Sequence, residues 1–138
     1  MIRIACIVWL ATGIPVLPAA NVEPTHQGVS YGSHDDQKLN FWKIDAKKPV
    51  PLLVHIHGGG WLGGKKSESI SPNLLKNGYS YCSIDYRLAG VELLPAAVHD
   101  AARAIQFLRS KAGEWNIDPS RIAVTGGSAG AASSLWLA

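Results

Sequence analysis

The chain has 138 residues, room for one modest domain, and 47% of them are hydrophobic against 17% charged, a balance that excludes an intrinsically disordered chain. Its 14 Gly and 8 Pro follow no period, which excludes collagen-like and low-complexity readings. The net charge of +3 comes from scattered Lys and Arg with no run longer than Lys47-Lys48 or Lys65-Lys66, so the basic stripe that a duplex backbone demands is missing and no nucleic-acid partner is expected.

Residues 1–20 open on Arg3, continue as an apolar stretch over 4–17 and close on small residues, the pattern of a secretory signal peptide cleaved near Ala20. The apolar run falls short of the ~20 residues of a membrane span and is interrupted by Gly13 and Pro15, so no stable membrane anchor is expected. No cysteine stands at the cleavage point, and removal of the segment takes Cys6 with it and leaves Cys82 without a partner. The protein is therefore expected to be exported, secreted or periplasmic, with residues 21–138 belonging to one domain.

Stretches over 26–33 and 38–44 are β-like and partly alternating, and they flank a polar turn, as in an antiparallel hairpin. The apolar run over 52–57, closed by three glycines, reads as a buried parallel strand. A brief helix is expected over 71–76, with Asn77-Gly78 as its stop, and a second central strand over 79–84. Between 95 and 112 the residues Val98, Ala101, Ala102, Ile105, Leu108 and Ala112 recur at helical spacing, which predicts an amphipathic helix with Pro95 in its first turn and Gly113 as its stop. Pro119 and Asp118 predict a turn over 117–120. A third short strand follows over 121–125, and then a helix begins at Ala131. Strands alternating with helices imply an α/β fold, a mostly parallel sheet with helices on both faces.

Two motifs carry chemistry. Gly126-Gly127-Ser128-Ala129-Gly130 fits G-x-S-x-G between a strand and a helix, where flanking glycines let the backbone turn sharply and thrust the Ser128 hydroxyl clear of the sheet. His57-Gly58-Gly59-Gly60-Trp61 stands at the end of the first central strand, where bare glycine amides, with the amide of Ala129, can hold the oxyanion of a tetrahedral intermediate. A phosphate cradle is the rival reading of the glycines, but Lys66 stands after Gly64-Lys65 where Ser or Thr is required.

With both motifs in place, the stretch from about residue 26 onward resembles the α/β-hydrolase esterases and lipases, in the hormone-sensitive-lipase-like, carboxylesterase branch that carries an H-G-G-G loop. Asp85-Tyr86-Arg87-Leu88, Pro95-Ala96-Ala97-Val98 with Asp100, and 115–122 add to the resemblance. It implies Ser128 as nucleophile, Gly58, Gly59, Gly60 and Ala129 as oxyanion hole, His57 as a brace of the loop, and neither cofactor nor metal. His55 and His57 form H-x-H, but no third metal ligand is convincingly placed. His99 and Asp100, adjacent on a helix, face different ways and form no dyad. Arg87 and Asp100 are expected to form an ion pair beneath the oxyanion loop. Trp61 is left between contact with substrate and packing of the loop, and Cys82 reads as a buried apolar residue.

A serine needs a histidine to take its proton and a carboxylate to orient that histidine. In α/β-hydrolases both follow the serine, and residues 129–138 contain no Asp, Glu or His. The expectation is thus an N-terminal part of a domain that would run to roughly 250 residues, truncated after the nucleophile turn, inactive and insoluble or molten by itself, with Ile122, Ala123 and Val124 on an open edge. The complete protein is expected to hydrolyse short-chain or carbohydrate-linked carboxylic esters. Its rivals are an amide hydrolase of the same fold, of arylformamidase or peptidase type, and a non-catalytic binding protein or degraded remnant of that fold.

Overall fold

The computed structural model describes residues 20–138, so the expected signal segment falls almost wholly outside the described residues. Leu52, Val54 and Ile56 point to one side of a seven-residue strand, β3 (Val50–Ile56), and are at most 1% exposed, while Leu53 and His55 between them are half-buried on the other side. That alternation, period two with one side better covered, sets the plan of the molecule. Around β3 stand β1 (His26–Ser30), β2 (Lys38–Trp42), β4 (Ser80–Ile84) and β5 (Ile117–Gly126), in the order β1-β2-β4-β3-β5. β3 runs parallel to β4 and β5, whereas β2 is antiparallel to β4 and to β1. The hairpin and the parallel centre agree with the sequence reading.

One face of the sheet is covered by α2 (Ala96–Ser110), the short α3 (Ala112–Trp115) and α4 (Ala129–Trp136). Ala97, Ala101, Ala104, Ile105 and Leu108 of α2 meet Leu39, Phe41, Leu52, Val54, Ile56, Cys82 and Ile84 in a single core. The opposite face carries a smaller cluster, Trp42, Ile70 and Tyr81, against Leu74 and Leu75 in and around the one-turn helix α1 (Pro72–Leu75). Ser71 caps α1, its hydroxyl accepting from the Asn73 amide. Among the described residues no helix is long and apolar enough to cross a membrane.

Three expectations need correction. The long helix does not stop at Gly113: α2 ends at Ser110, Gly113 lies inside α3, and the stop is Asn116 in left-handed backbone (φ 59°). The extra turn lets Trp115 reach Phe41 and His26, with ring centroids 4.6 and 4.7 Å away, and Asn116 secures it by donating to the Ala46 carbonyl. The third strand begins at Ile117, not at residue 121. The turn is real, but it bulges within β5, whose pairing jumps from Val50 opposite Ile117 to Leu52 opposite Ile122; Asp118 accepts there from the Ser120 amide and from Arg121. The last helix starts at Ala129, two residues early, directly after Ser128. β5 is the outer strand, as expected, but Ile122 and Val124 are half-buried towards α2 and only Ala123 of the three is exposed.

Candidate active site

Ile56 pairs with Gly126 at the C-terminal ends of β3 and β5. That register delivers the segment after β3 and the segment after β5 to one edge of the sheet, where open α/β sheets place their ligands. Between β5 and α4, Ser128 is exposed and holds φ 53°, ψ −120°. A residue bearing a Cβ adopts such backbone only where its surroundings impose it. Here they do: a Cβ on Gly130 would lie 2.1 Å from the Ile56 carbonyl oxygen, so α4 starts in contact with the end of β3. The positive end of the α4 dipole faces the same edge.

The triple-glycine segment lies against this turn. A Cβ on Gly58 would meet the Gly127 carbonyl oxygen at 2.8 Å and the Ser128 Cβ at 3.6 Å. Gly59, Gly60 and Trp61 follow with φ of 109°, 63° and 59°, a left-handed run closed by the amides of Leu62 and Gly63, which both donate to the Gly59 carbonyl. Among the described turn and loop hydrogen bonds, none uses the amide of Gly58, Gly59, Gly60 or Ala129 as donor. The structure therefore brings Gly58, Gly59, Gly60, Ala129 and Ser128 to one edge of the sheet.

His57 sits under this loop, 6% exposed. Its Nδ1 lies 2.8 Å from the Gly58 carbonyl oxygen, its ring stacks on Tyr86 at 4.2 Å, and its Nε2 lies 3.8 Å from Asp85. Asp85 in turn accepts from the Lys66 amide (2.6 Å) and faces the Lys66 ammonium at 3.3 Å. Burial pushes the Tyr86 hydroxyl up to about 12, with the nearby Asp85 charge adding to it, so the hydroxyl stays protonated and donates to the His57 carbonyl. His55, on the α1 side of β3, is held below the ordinary histidine range by burial and then by His57. Among the described residues no group of three His, Cys, Asp or Glu is placed to hold a metal ion.

Arg87 and Asp100 form the expected ion pair. The Arg87 Nε and Nη2 and its backbone amide all donate to the Asp100 carboxylate, at 2.9, 2.6 and 3.0 Å, and Gln37 donates a further bond at 2.6 Å. Burial opposes ionisation of Asp100, but these hydrogen bonds outweigh it and hold the carboxyl below the ordinary range. Next along the chain, the Ala89 amide donates to the Trp61 carbonyl, so the pair anchors the segment that supports the glycine loop. His99 is exposed while Asp100 is buried, which keeps them apart. Cys82 is buried, its thiol pushed up by that burial.

Sequence reasoning left Trp61 open. In the structure it packs on the main core and its indole donates to the Ser133 hydroxyl at 3.2 Å. Ser133 and the Lys66–Asp85 brace went unnoticed; nothing in the local sequence marks Ser133. Two clefts, of about 350 and 400 Å³, flank β5, one between α2 and α4 and the other over Leu53, Tyr79 and Ala123. Neither is lined by Ser128 or the glycine loop, and the chemistry above places the candidate site at the strand ends instead.

A serine forced into this backbone between strand and helix, at the C-terminal edge of a sheet in this order, is the architecture of the α/β-hydrolase esterases. Residues 41–138 match the BD-FAE family, and the chain belongs to it. It is 35% identical over 124 residues to carboxylesterase NlhH of Mycobacterium tuberculosis, an alignment covering 88% of this chain and 39% of that protein. It is similar to a truncated carbohydrate esterase from gut microbiota, with TM-score 0.73 and 32% identity over 85% of this chain and 44% of the other. It also resembles an acetyl ester-xyloside bifunctional hydrolase from Caldicellulosiruptor lactoaceticus, with TM-score 0.60 and 34% identity over 70% and 36%. The chain thus spans 39% of the length of the NlhH relative.

Proposed function

We propose that the whole protein carrying this chain hydrolyses carboxylic esters through an acyl-serine intermediate. Ser128 Oγ attacks the carbonyl carbon, its proton passing to a histidine base. The carbonyl oxygen becomes an oxyanion held by amides from Gly58, Gly59 and Gly60 and by that of Ala129. The C–O bond to the alcohol then breaks, the alcohol leaving with the proton, and water releases the acid by the reverse sequence. Neither the base nor its orienting acid is among residues 129–138, which hold no Asp, Glu or His. His57 is occupied in bracing the loop.

The observation that carries this reading is the contact between the two turns, Gly58 backed onto Gly127 and Ser128 with its own amide unused. Short-chain and carbohydrate-linked esters are the proposed substrates. The names of the carbohydrate esterase and acetyl ester-xyloside relatives support them, as does the signal-like segment at residues 1–20, by which we propose that the protein is secreted or periplasmic. The test compares the whole protein with its Ser128→Ala variant on p-nitrophenyl acetate, acetylated xylo-oligosaccharides and p-nitroacetanilide. Ester turnover that falls by about 10⁴-fold or more in the variant is expected. A faster amide reaction would favour an amidase, and no Ser128-dependent turnover at all a binding protein.

A further inference from the structure

We propose that Trp61 is a positioning residue for this reaction, its indole tying the oxyanion loop to the helix that follows the nucleophile; the inference rests on the reading of Ser128 given above. Trp61 is one of three non-glycine residues among those described with positive φ, beside Asn116 and Ser128 itself. Asn tolerates that conformation through its short polar side chain, and Ser128 is held in it by the turn. Trp61 bears a bulky side chain in that conformation, inside the turn that the Leu62 and Gly63 amides close onto Gly59, and its long-range contacts show what the turn is tied to.

Two such contacts exist. Its carbonyl accepts from the Ala89 amide at 2.7 Å, and its indole N–H donates to Ser133 Oγ at 3.2 Å, across 72 residues of chain. Ser133 lies in α4 and is 1% exposed, so the bond is shielded from competing water. Trp61 also sits within the turn that the Leu62 and Gly63 amides close onto Gly59. The bond thus links the turn that carries Gly59 and Gly60 to the helix whose first residue is Ala129. Beside the packing of Gly58 on Gly127 and Ser128, this hydrogen bond helps to set the spacing between the two groups of oxyanion donors, a distance on which their effect in the transition state depends.

The rival role for Trp61 is a wall of the acyl pocket, and the two differ in what they change. Trp61→Phe keeps the ring body and loses the N–H, Ser133→Ala loses the acceptor, and the double variant completes a cycle. In the whole protein, each single variant is expected to lower kcat about fivefold, the worth of one such hydrogen bond. KM should stay unchanged, the factor should be equal for p-nitrophenyl acetate and butyrate, and the double variant should lose no more than either single. Inhibition by a trifluoromethyl ketone, which forms the oxyanion, should weaken by the same factor. Unchanged kcat, additive losses, a lowered Tm with kcat intact, or a shift in acyl-chain preference would each overturn the proposal. Ser128→Ala is measured alongside: retained activity there overturns the nucleophile reading, whereas its loss with Trp61→Phe unaffected overturns this inference alone.

Discussion

On one side of the sheet, Leu52, Val54 and Ile56 are sealed under α2 and α4, and the charged groups there, Arg87 and Asp100, meet in a fully partnered cluster. On the other, Leu53 and His55 are half-buried, Ala123 and Thr125 are exposed, and the covering helix is the four residues of α1. Strand residues of the same kind thus live in different environments according to parity alone. The reactive edge is joined to the sealed side: Ser128 begins the helix that covers it, and the glycine loop is propped by the segment that Asp100 anchors. Buried contacts and hydrogen bonds are thus concentrated beside the proposed chemistry, and the outer side of β5 is left exposed.

The difference can be pressed experimentally. The largest effect is expected from Asp100→Asn, which leaves Arg87 without its buried counter-charge and should cost about 3–5 kcal/mol in urea unfolding of the whole protein at pH 7. Because the folded state depresses the Asp100 carboxyl, the stability it contributes is complete above the ordinary carboxylate pKa of about 3.9 and drains as pH falls through the lower folded value. The gap between wild type and variant should therefore narrow in acid; a gap that widens would refute the assignment. Next, Leu52→Ala should cost about 3 kcal/mol and its neighbour Leu53→Ala only about 1 kcal/mol, since the first empties a sealed site and the second a half-open one. Equal costs would mean that the second face is covered in the whole protein. Smallest of all, Ala123→Lys should shift stability by no more than about 0.5 kcal/mol and raise the soluble yield of the 138-residue chain, whose open strand edge invites association. Lysine at fully buried Ala104 is the opposing control.

Much of this was legible in the residues. Parity along β3, helical spacing in α2 and the glycine punctuation around Ser128 are local signals, and each led to the right element. What escaped reading was set by distant partners. Gly113 looked like a stop because nothing nearby announces that Trp115 must reach Phe41 and His26. The segment over 117–120 looked like a plain turn because its return to pairing with β3 is a property of the neighbour's register. The Trp61–Ser133 bond joins two motifs without appearing in either. The Arg87–Asp100 pair was anticipated from the residues, whereas the Lys66–Asp85 support emerged only from the geometry.

The glycines at the reactive edge also say where variation is admissible. At positions 58, 126 and 130 any side chain would strike main-chain oxygen, whereas at Gly127 nothing lies within 4 Å of an added Cβ, and Leu62 already projects 74% exposed from the neighbouring loop. At Gly63, too, nothing lies within 4 Å of an added Cβ, so a search for altered substrate preference within this stretch of chain has three open seats, 127, 62 and 63. Diversifying the rest of the two turns would mostly sample broken backbones.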